Sequence, residues 1–167
     1  MRFENPAANI ESPKPKKSLP KFLSLEESMS LLEAIKNDTT SKNRLRDYTI
    51  VVLFLNCGMR VSELVGINLS DIDTELRSMR VVGKGNKERI VYLNSSCRSA
   101  LAEYLTWRTS EPNKKITDKA LFLSNRAQRI SVKTVQWLVY KYLGEAGLES
   151  KHYSVHKLRH TAATLMY

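Results

Sequence analysis

Cysteine is scarce in this chain. The two present, Cys57 and Cys97, are far apart in sequence and lack the close spacing of a metal site. Cys57 lies in an apolar run and reads as core, and both are expected as free thiols in a reducing cytosol. Long apolar runs are missing too: none reaches the roughly 20 residues that cross a bilayer as a helix. Met1 leads into a polar, proline-containing segment, and no secretory signal is visible in it. There is no internal repeat and no low-complexity tract. Negative charge is in deficit, with 17 Asp and Glu against 27 Lys and Arg, a net charge of +10 and a pI near 9.7. That imbalance points to a polyanionic partner, nucleic acid first and an anionic membrane surface second. What is present is an ordinary globular balance: 167 residues, 42% hydrophobic and 26% charged, enough for one domain with a real core.

Residues 1–20 hold Pro6, Pro13, Pro15 and Pro20 with Lys14, Lys16 and Lys17 between them. This is a basic, proline-rich linker composition, and a linker implies an N-terminal domain before it. Ser24 opens a helix and Glu27 completes a capping box. Leu25, Met29, Leu32 and Ile35 form its apolar stripe, and Asn37-Asp38 ends it. Residues 45–57 read as the deepest core. The unbroken run Ile50–Leu55 also suits a buried strand, but Leu45, Tyr48 and Val52 extend the pattern over a helical length. Gly58 would supply the left-handed residue at its end. Val61–Val65 starts a short second helix. Met79–Val82 and Arg89–Leu93 read as two strands joined through Gly83–Glu88, a hairpin. Residues 96–108 form a helix with Leu101, Leu105 and Arg108 down one side. Pro112–Lys119 is a polar loop, and Ala120–Leu123 suits a short strand. Ser131 caps a helix with Val132, Val135, Leu138, Val139, Tyr142, Leu143 and Ala146 at helical spacing, closed by Gly147. A last helix follows. The fold class is mainly α with a small antiparallel sheet, an α+β arrangement.

Three stretches carry chemistry. His156 and Arg159 sit three apart, so a helix places them on one face, one turn apart. Arg offers a rigid fork of donors and His exchanges a proton near neutral pH, a good grip on a phosphate. A basic turn on a solvated helix satisfies the same spacing. Arg60 opens a helix after a glycine turn, where phosphate is favoured, with Glu63 one turn on to fix its rotamer. An ordinary Arg–Glu helix pair reads the same way. Lys84 stands on a glycine-flanked hairpin tip, where the backbone approaches another molecule closely. That lysine would enter a DNA groove, or protonate a leaving oxygen if its pKa is lowered. A solvated, charged loop is the plainer account.

Together and in this order the stretches are specific. Gly58-Met59-Arg60-Val61-Ser62-Glu63-Leu64, Val81-Val82-Gly83-Lys84-Gly85-Asn86-Lys87-Glu88-Arg89 and Ser154-Val155-His156-Lys157-Leu158-Arg159-His160 resemble the catalytic domain of the tyrosine recombinases, most closely the Xer-type and the phage or transposon integrases. Asp71-Ile72 also looks like the family, and the resemblance runs from about Leu23 to Tyr167. It implies a catalytic domain of the DNA breaking-rejoining type over residues 21–167. Arg60 and Arg159 would clamp the scissile phosphate in its five-coordinate transition state. Lys84 would protonate the leaving 5′-oxygen. His156 would accept the proton of an attacking tyrosine or donate to the phosphate. Glu63 would orient Arg60, and Lys87, Arg89 and His160 would contact DNA. The implied reaction is transesterification through a 3′-phosphotyrosine, with no metal and no cofactor. The implied partners are double-stranded DNA and other recombinase subunits, as a tetramer on DNA, without a membrane. The implied location is the cytoplasm, at the prokaryotic nucleoid.

The match fails in one place. The family's nucleophilic tyrosine follows well beyond the His-x-x-Arg. Tyr167 is eleven residues past His156. At roughly 1.5 Å per residue it would lie about 16 Å along the same helix, too far to reach a phosphate held by His156 and Arg159. Tyr167 therefore reads as a core or boundary residue, no nucleophile is expected in this chain, and residues 21–167 read as a catalytic domain cut before its nucleophile segment. The other reading is a non-catalytic DNA-binding relative or regulator on the same fold, with a basic RNA-binding protein a weaker third. Convergence of Arg60, Lys84, His156 and Arg159 separates them, because a mere binder needs only scattered basic charge.

Overall fold

The computed structural model describes residues 22–110, 118–149 and 153–165, without the side chains of residues 160 and 162–165. The expectations for the linker at 1–20, most of the loop at 112–119, the His160 side chain and Tyr167 lie outside the described residues.

The first helix, α1, spans Leu25–Lys36 and begins with the expected capping box. The Glu27 N–H donates to Ser24 Oγ at 3.1 Å, and the Ser24 N–H donates to Glu27 Oε1 at 3.0 Å. Its inward face matches the expected stripe only in its second half, where Ile35 is buried and Leu32 packs against the core. Leu25 and Met29 are 61% and 59% exposed, and the buried line is Ser28, Leu31 and Ile35. The polar Ser28 occupies a core-facing position, so the true face was rotated away from the one that hydrophobicity alone picks out.

The next helix, α2 (Arg44–Cys57), is the centre of the molecule: every residue from Thr49 to Leu55 is buried. A helix apolar on all sides must be surrounded by others. It ends as expected at Gly58, whose φ of 63° is left-handed. Its first turn carries a buried ion pair, with Arg46 Nε 2.9 Å from Asp47 Oδ1. Arg46 also donates to the Leu123 carbonyl at 2.8 Å. Burial pushes the Asp47 carboxyl above its ordinary range, against the pull of Arg46.

The short α3 (Val61–Val65) follows, then β1 (Ser78–Val82) and β2 (Glu88–Tyr92), an antiparallel pair in register from Ser78 opposite Tyr92 to Val82 opposite Glu88. The hairpin tip turns through Gly85 at φ 73° and Asn86 at φ 57°. Arg80 braces one flank, donating to Asp71 Oδ1 at 2.7 and 3.0 Å and to Glu88 at 3.0 Å.

Helix α4 runs Ser95–Ser110 and packs on α2. Residues 120–123 do not make the expected strand; they contribute only isolated bridges, Asn68 with Ala120 and Leu123 with Arg129. The cause is competition for their carbonyls. Arg108 takes that of Ala120 at 2.7 Å, Tyr104 that of Leu121 at 2.8 Å, and Arg46 that of Leu123. Those three acceptors are bonded to side chains, and no neighbouring strand extends the bridges into a ladder among the described residues.

Helix α5 (Val132–Glu145) begins at Ser131, whose Oγ accepts from the Thr134 N–H at 3.1 Å. It ends in a Schellman turn: Leu148 N–H to Leu143 O at 2.8 Å and Gly147 N–H to Gly144 O at 3.0 Å, with Gly147 at φ 76°. The last helix, α6 (Val155–Leu165), docks through buried Val155, Leu158 and Thr161. Thr161 Oγ1 accepts from the Leu23 N–H at 2.9 Å, tying the two ends of the described chain together. The two cysteines, distant in sequence, meet as free thiols with their sulfurs 3.8 Å apart. Among the described residues no helix is long and apolar enough to cross a membrane.

Candidate active site

The turn after α2 sets the site. Gly58 reverses the chain, Met59 plugs the core, and Arg60 emerges exposed at the start of α3 with extended backbone. From the other side, α6 brings His156 and Arg159, one turn apart as their spacing required. Arg159 Nε donates to the Gly58 carbonyl at 2.9 Å. One arginine is thereby fixed to the turn that presents the other. An open cleft lies between, lined by Arg60 and Ser62, by Gln136 and Tyr140 of α5, and by His156 and Arg159. Two guanidiniums and an imidazole on one cleft match what a tetrahedral or trigonal-bipyramidal phosphate asks for.

Glu63 is the anion behind this cleft. Its side chain is 2% exposed. Oε1 accepts from the Arg60 main-chain N–H at 2.7 Å. Its ion pair is made with Arg89 of β2, at 2.7 Å to Oε2 and 3.3 Å to Oε1. The expected pairing with the Arg60 guanidinium is thus replaced by a bond to the Arg60 backbone and a fork from Arg89. Burial raises the Glu63 carboxyl, but the Arg60 N–H and the Arg89 donors outweigh it and hold the group below the usual carboxylate range. Glu63 therefore stabilises the fold above the ordinary carboxylate pKa, and this contribution fades as pH falls through its lowered value.

Lys84 is exposed at the hairpin tip and is not among the cleft-lining residues. Its hairpin is joined to the cleft wall through Arg89 and Glu63. Lys87 is exposed on the same hairpin, where its carbonyl accepts from the Gly83 N–H at 2.8 Å.

Sequence reading missed several residues here. Gln136 and Tyr140 belong to the outward face of α5, and only their helical offset from the buried line signals them. Arg129 braces the far end of the five-residue α3: it donates to the Val65 carbonyl at 2.8 Å, to the Ile67 carbonyl at 3.2 Å, and to Asn68 Oδ1. Cations suit such carbonyl ends. Asp118 in turn accepts from the Arg129 and Ala120 N–H groups at 2.9 and 2.8 Å. No motif spacing announces a contact spanning more than sixty residues.

Comparison with known proteins places this geometry. Residues 21–167 match the phage integrase family. The tyrosine recombinase XerC of Caldanaerobacter subterraneus subsp. tengcongensis is 56% identical over 164 residues, covering 98% of this chain and 44% of that protein. The crystal structure of XerA recombinase superposes with a TM-score of 0.76 at 33% identity, over 89% of this chain and 51% of the other. XerH site-specific recombinase, in a pre-cleavage complex with its difH substrate, gives 0.74 at 29% identity over 89% and 43%. The chain spans about half the length of the curated relatives it matches. With the family matched from residue 21 to residue 167 and the recombinase fold reproduced around a two-arginine cleft, this chain belongs to the phage integrase family.

Proposed function

We propose that this chain is the phosphate-clamping part of a site-specific DNA recombinase that works by strand transfer. One observation carries the reading: Arg60, His156 and Arg159, drawn from segments a hundred residues apart, line a single cleft. Arg60 and Arg159 hold the non-bridging oxygens of the scissile phosphate and offset the charge that grows in the transition state. A tyrosine oxygen attacks phosphorus, the P–O5′ bond breaks, and a 3′-phosphotyrosine forms. His156 accepts the tyrosine proton or donates to the phosphate. Lys84 delivers a proton to the departing 5′-oxygen. Lys87 and the His160 position add phosphate contacts along the duplex. Residues 1–20 serve as a basic linker after a DNA-clamp domain, and the nucleophile comes from polypeptide beyond residue 167. The complete protein acts on duplex DNA in the cytoplasm with other subunits of its kind, four to a site. XerH bound to difH supports duplex DNA as the partner.

The test is a titration of this chain with duplex DNA at several salt concentrations. Binding should weaken steeply with salt, and Arg60→Ala or Arg159→Ala should each flatten the log–log slope by about one. A slope untouched by both variants, with binding retained, supports the non-catalytic DNA-binding reading instead.

A further inference from the structure

We infer that Arg89 is a positioning residue: through Glu63 it locks the hairpin carrying Lys84 onto the turn carrying Arg60, and Gly83 is glycine so that this lock can close. The inference rests on the phosphate-clamp reading and adds to it the device that holds two of the clamp's cations in fixed relation.

Glu63 is approached from two sides. On one side the Arg60 N–H reaches Oε1 at 2.7 Å. On the other, Arg89 donates from its two terminal nitrogens, Nη1 to Oε2 at 2.7 Å and Nη2 to Oε1 at 3.3 Å. The hairpin touches the carboxylate a second time at Gly83, where an added Cβ would stand 2.9 Å from Glu63 Oε2 and 3.7 Å from the Lys87 carbonyl oxygen. Gly83 has φ −102°, a value open to any residue. Its glycine therefore answers a need for space, not for backbone freedom. The carboxylate cannot step aside cheaply, because it is buried and held by three donors. Gly83 also closes the loop base through its bond to the Lys87 carbonyl, and Lys84 is the next residue. Lys84 and Arg60 are thus both referenced to one carboxylate.

Charge supports the same assignment. A buried carboxylate behind a phosphate site opposes the phosphate unless its charge is matched. Arg89 matches it, which leaves Arg60 and Arg159 for the substrate. Arg89 stands opposite Val81, itself buried, so its backbone is fixed by the strand pairing. In this inference Arg89 acts through Glu63 behind the cleft, where the sequence expectation has it contacting DNA directly.

The experiment uses the 167-residue chain. Amide hydrogen exchange is followed at Arg60 and Gly83, with Val139 and Leu143 of α5 as the reference for global stability. In Arg89→Gln and in Gly83→Ala, exchange at both site amides should rise together by roughly tenfold while the α5 amides hold. Arg89→Lys, which keeps the charge but not the fork, should fall between, and it serves if Arg89→Gln does not fold. In duplex titrations, the losses from Arg89→Gln and Lys84→Ala should combine to less than their product, since the first already displaces Lys84. Unchanged exchange at Arg60 in both Arg89 variants overturns the lock. So does a full product of the two binding losses, which marks Arg89 as an independent phosphate contact. If the chain binds no duplex at all, the clamp reading falls, and the exchange rates still decide the lock.

Discussion

Arg159 serves two masters. Its Nε is committed to the Gly58 carbonyl, so the remaining guanidinium edge faces the cleft with its rotamer already fixed. Less orientational freedom is then lost when a phosphate binds. Arg159→Lys keeps a positive charge but has no Nε–H at that point along its stem. We expect it to lower thermal stability by about 1 kcal/mol, the worth of one hydrogen bond. Duplex affinity should fall only modestly, while strand cleavage by a polypeptide that includes the nucleophilic tyrosine falls much further. Differential scanning calorimetry reads the stability, filter binding the affinity, and covalent trapping in the longer polypeptide the cleavage. Equal losses in binding and cleavage would show that charge alone matters at this position. The His156–Arg159 pair was legible from spacing, because a helical period converts directly into a shared face. Arg89 was not, because its partner lies 26 residues away and the choice between solvent and Glu63 is made by tertiary packing.

At the scale of the element, α2 was readable as a helix from its length, and its end from Gly58. Its buried Arg46–Asp47 ion pair went unread, because adjacent residues in sequence give no signal of which charges a fold encloses. Arg46→Met should leave Asp47 buried and uncompensated, at a cost of roughly 3–5 kcal/mol near neutral pH. Asp47 already has a raised pKa, so the stability it lends in its protonated form is lost as pH rises through that value. The penalty of Arg46→Met relative to the parent should therefore be largest at neutral pH and shrink on acidification. Urea unfolding of both chains at two pH values measures it; a pH-independent difference would contradict it. Residues 120–123 were misread for the related reason that their carbonyls go to Arg108, Tyr104 and Arg46. Local composition records β-propensity but not which distant side chain takes an acceptor. The stripe on α1 was legible at Leu32 and Ile35 but misread at Leu25 and Met29, because a serine, Ser28, occupies the core-facing position of the first turns. At the end of α5 the logic is local again. Gly147 sits at φ 76° with open space around a hypothetical Cβ. Gly147→Ala should cost about 1 kcal/mol through backbone conformation alone. Thermal melts check it, and Gly144→Ala, at a position without positive φ, is the comparison.

The whole molecule is a helical body whose functional surface is assembled from its far ends. Arg60 comes from the turn after the central helix and His156 and Arg159 come from the last helix, while Lys84 stands outside that cleft on a hairpin joined to the Arg60 turn through Glu63 and Arg89. The order of these motifs was visible in the sequence, and their meeting at one cleft was an expectation that the fold realises for Arg60, His156 and Arg159. The most direct test of the account is covalent trapping on a duplex nicked beside the cleavage site, so that the short product diffuses away and a phosphotyrosine accumulates. The 167-residue chain should form no adduct, on Tyr140 of the cleft or on Tyr167. A polypeptide continuing past residue 167 to its nucleophilic tyrosine should form one. In that polypeptide Arg60→Ala or Arg159→Ala should abolish trapping, a loss of roughly 3 kcal/mol or more of transition-state stabilisation. Lys84→Ala should slow it less when the leaving group is good than when it is poor. An adduct on Tyr140 or Tyr167 of the short chain, or undiminished trapping without either arginine, would contradict the account.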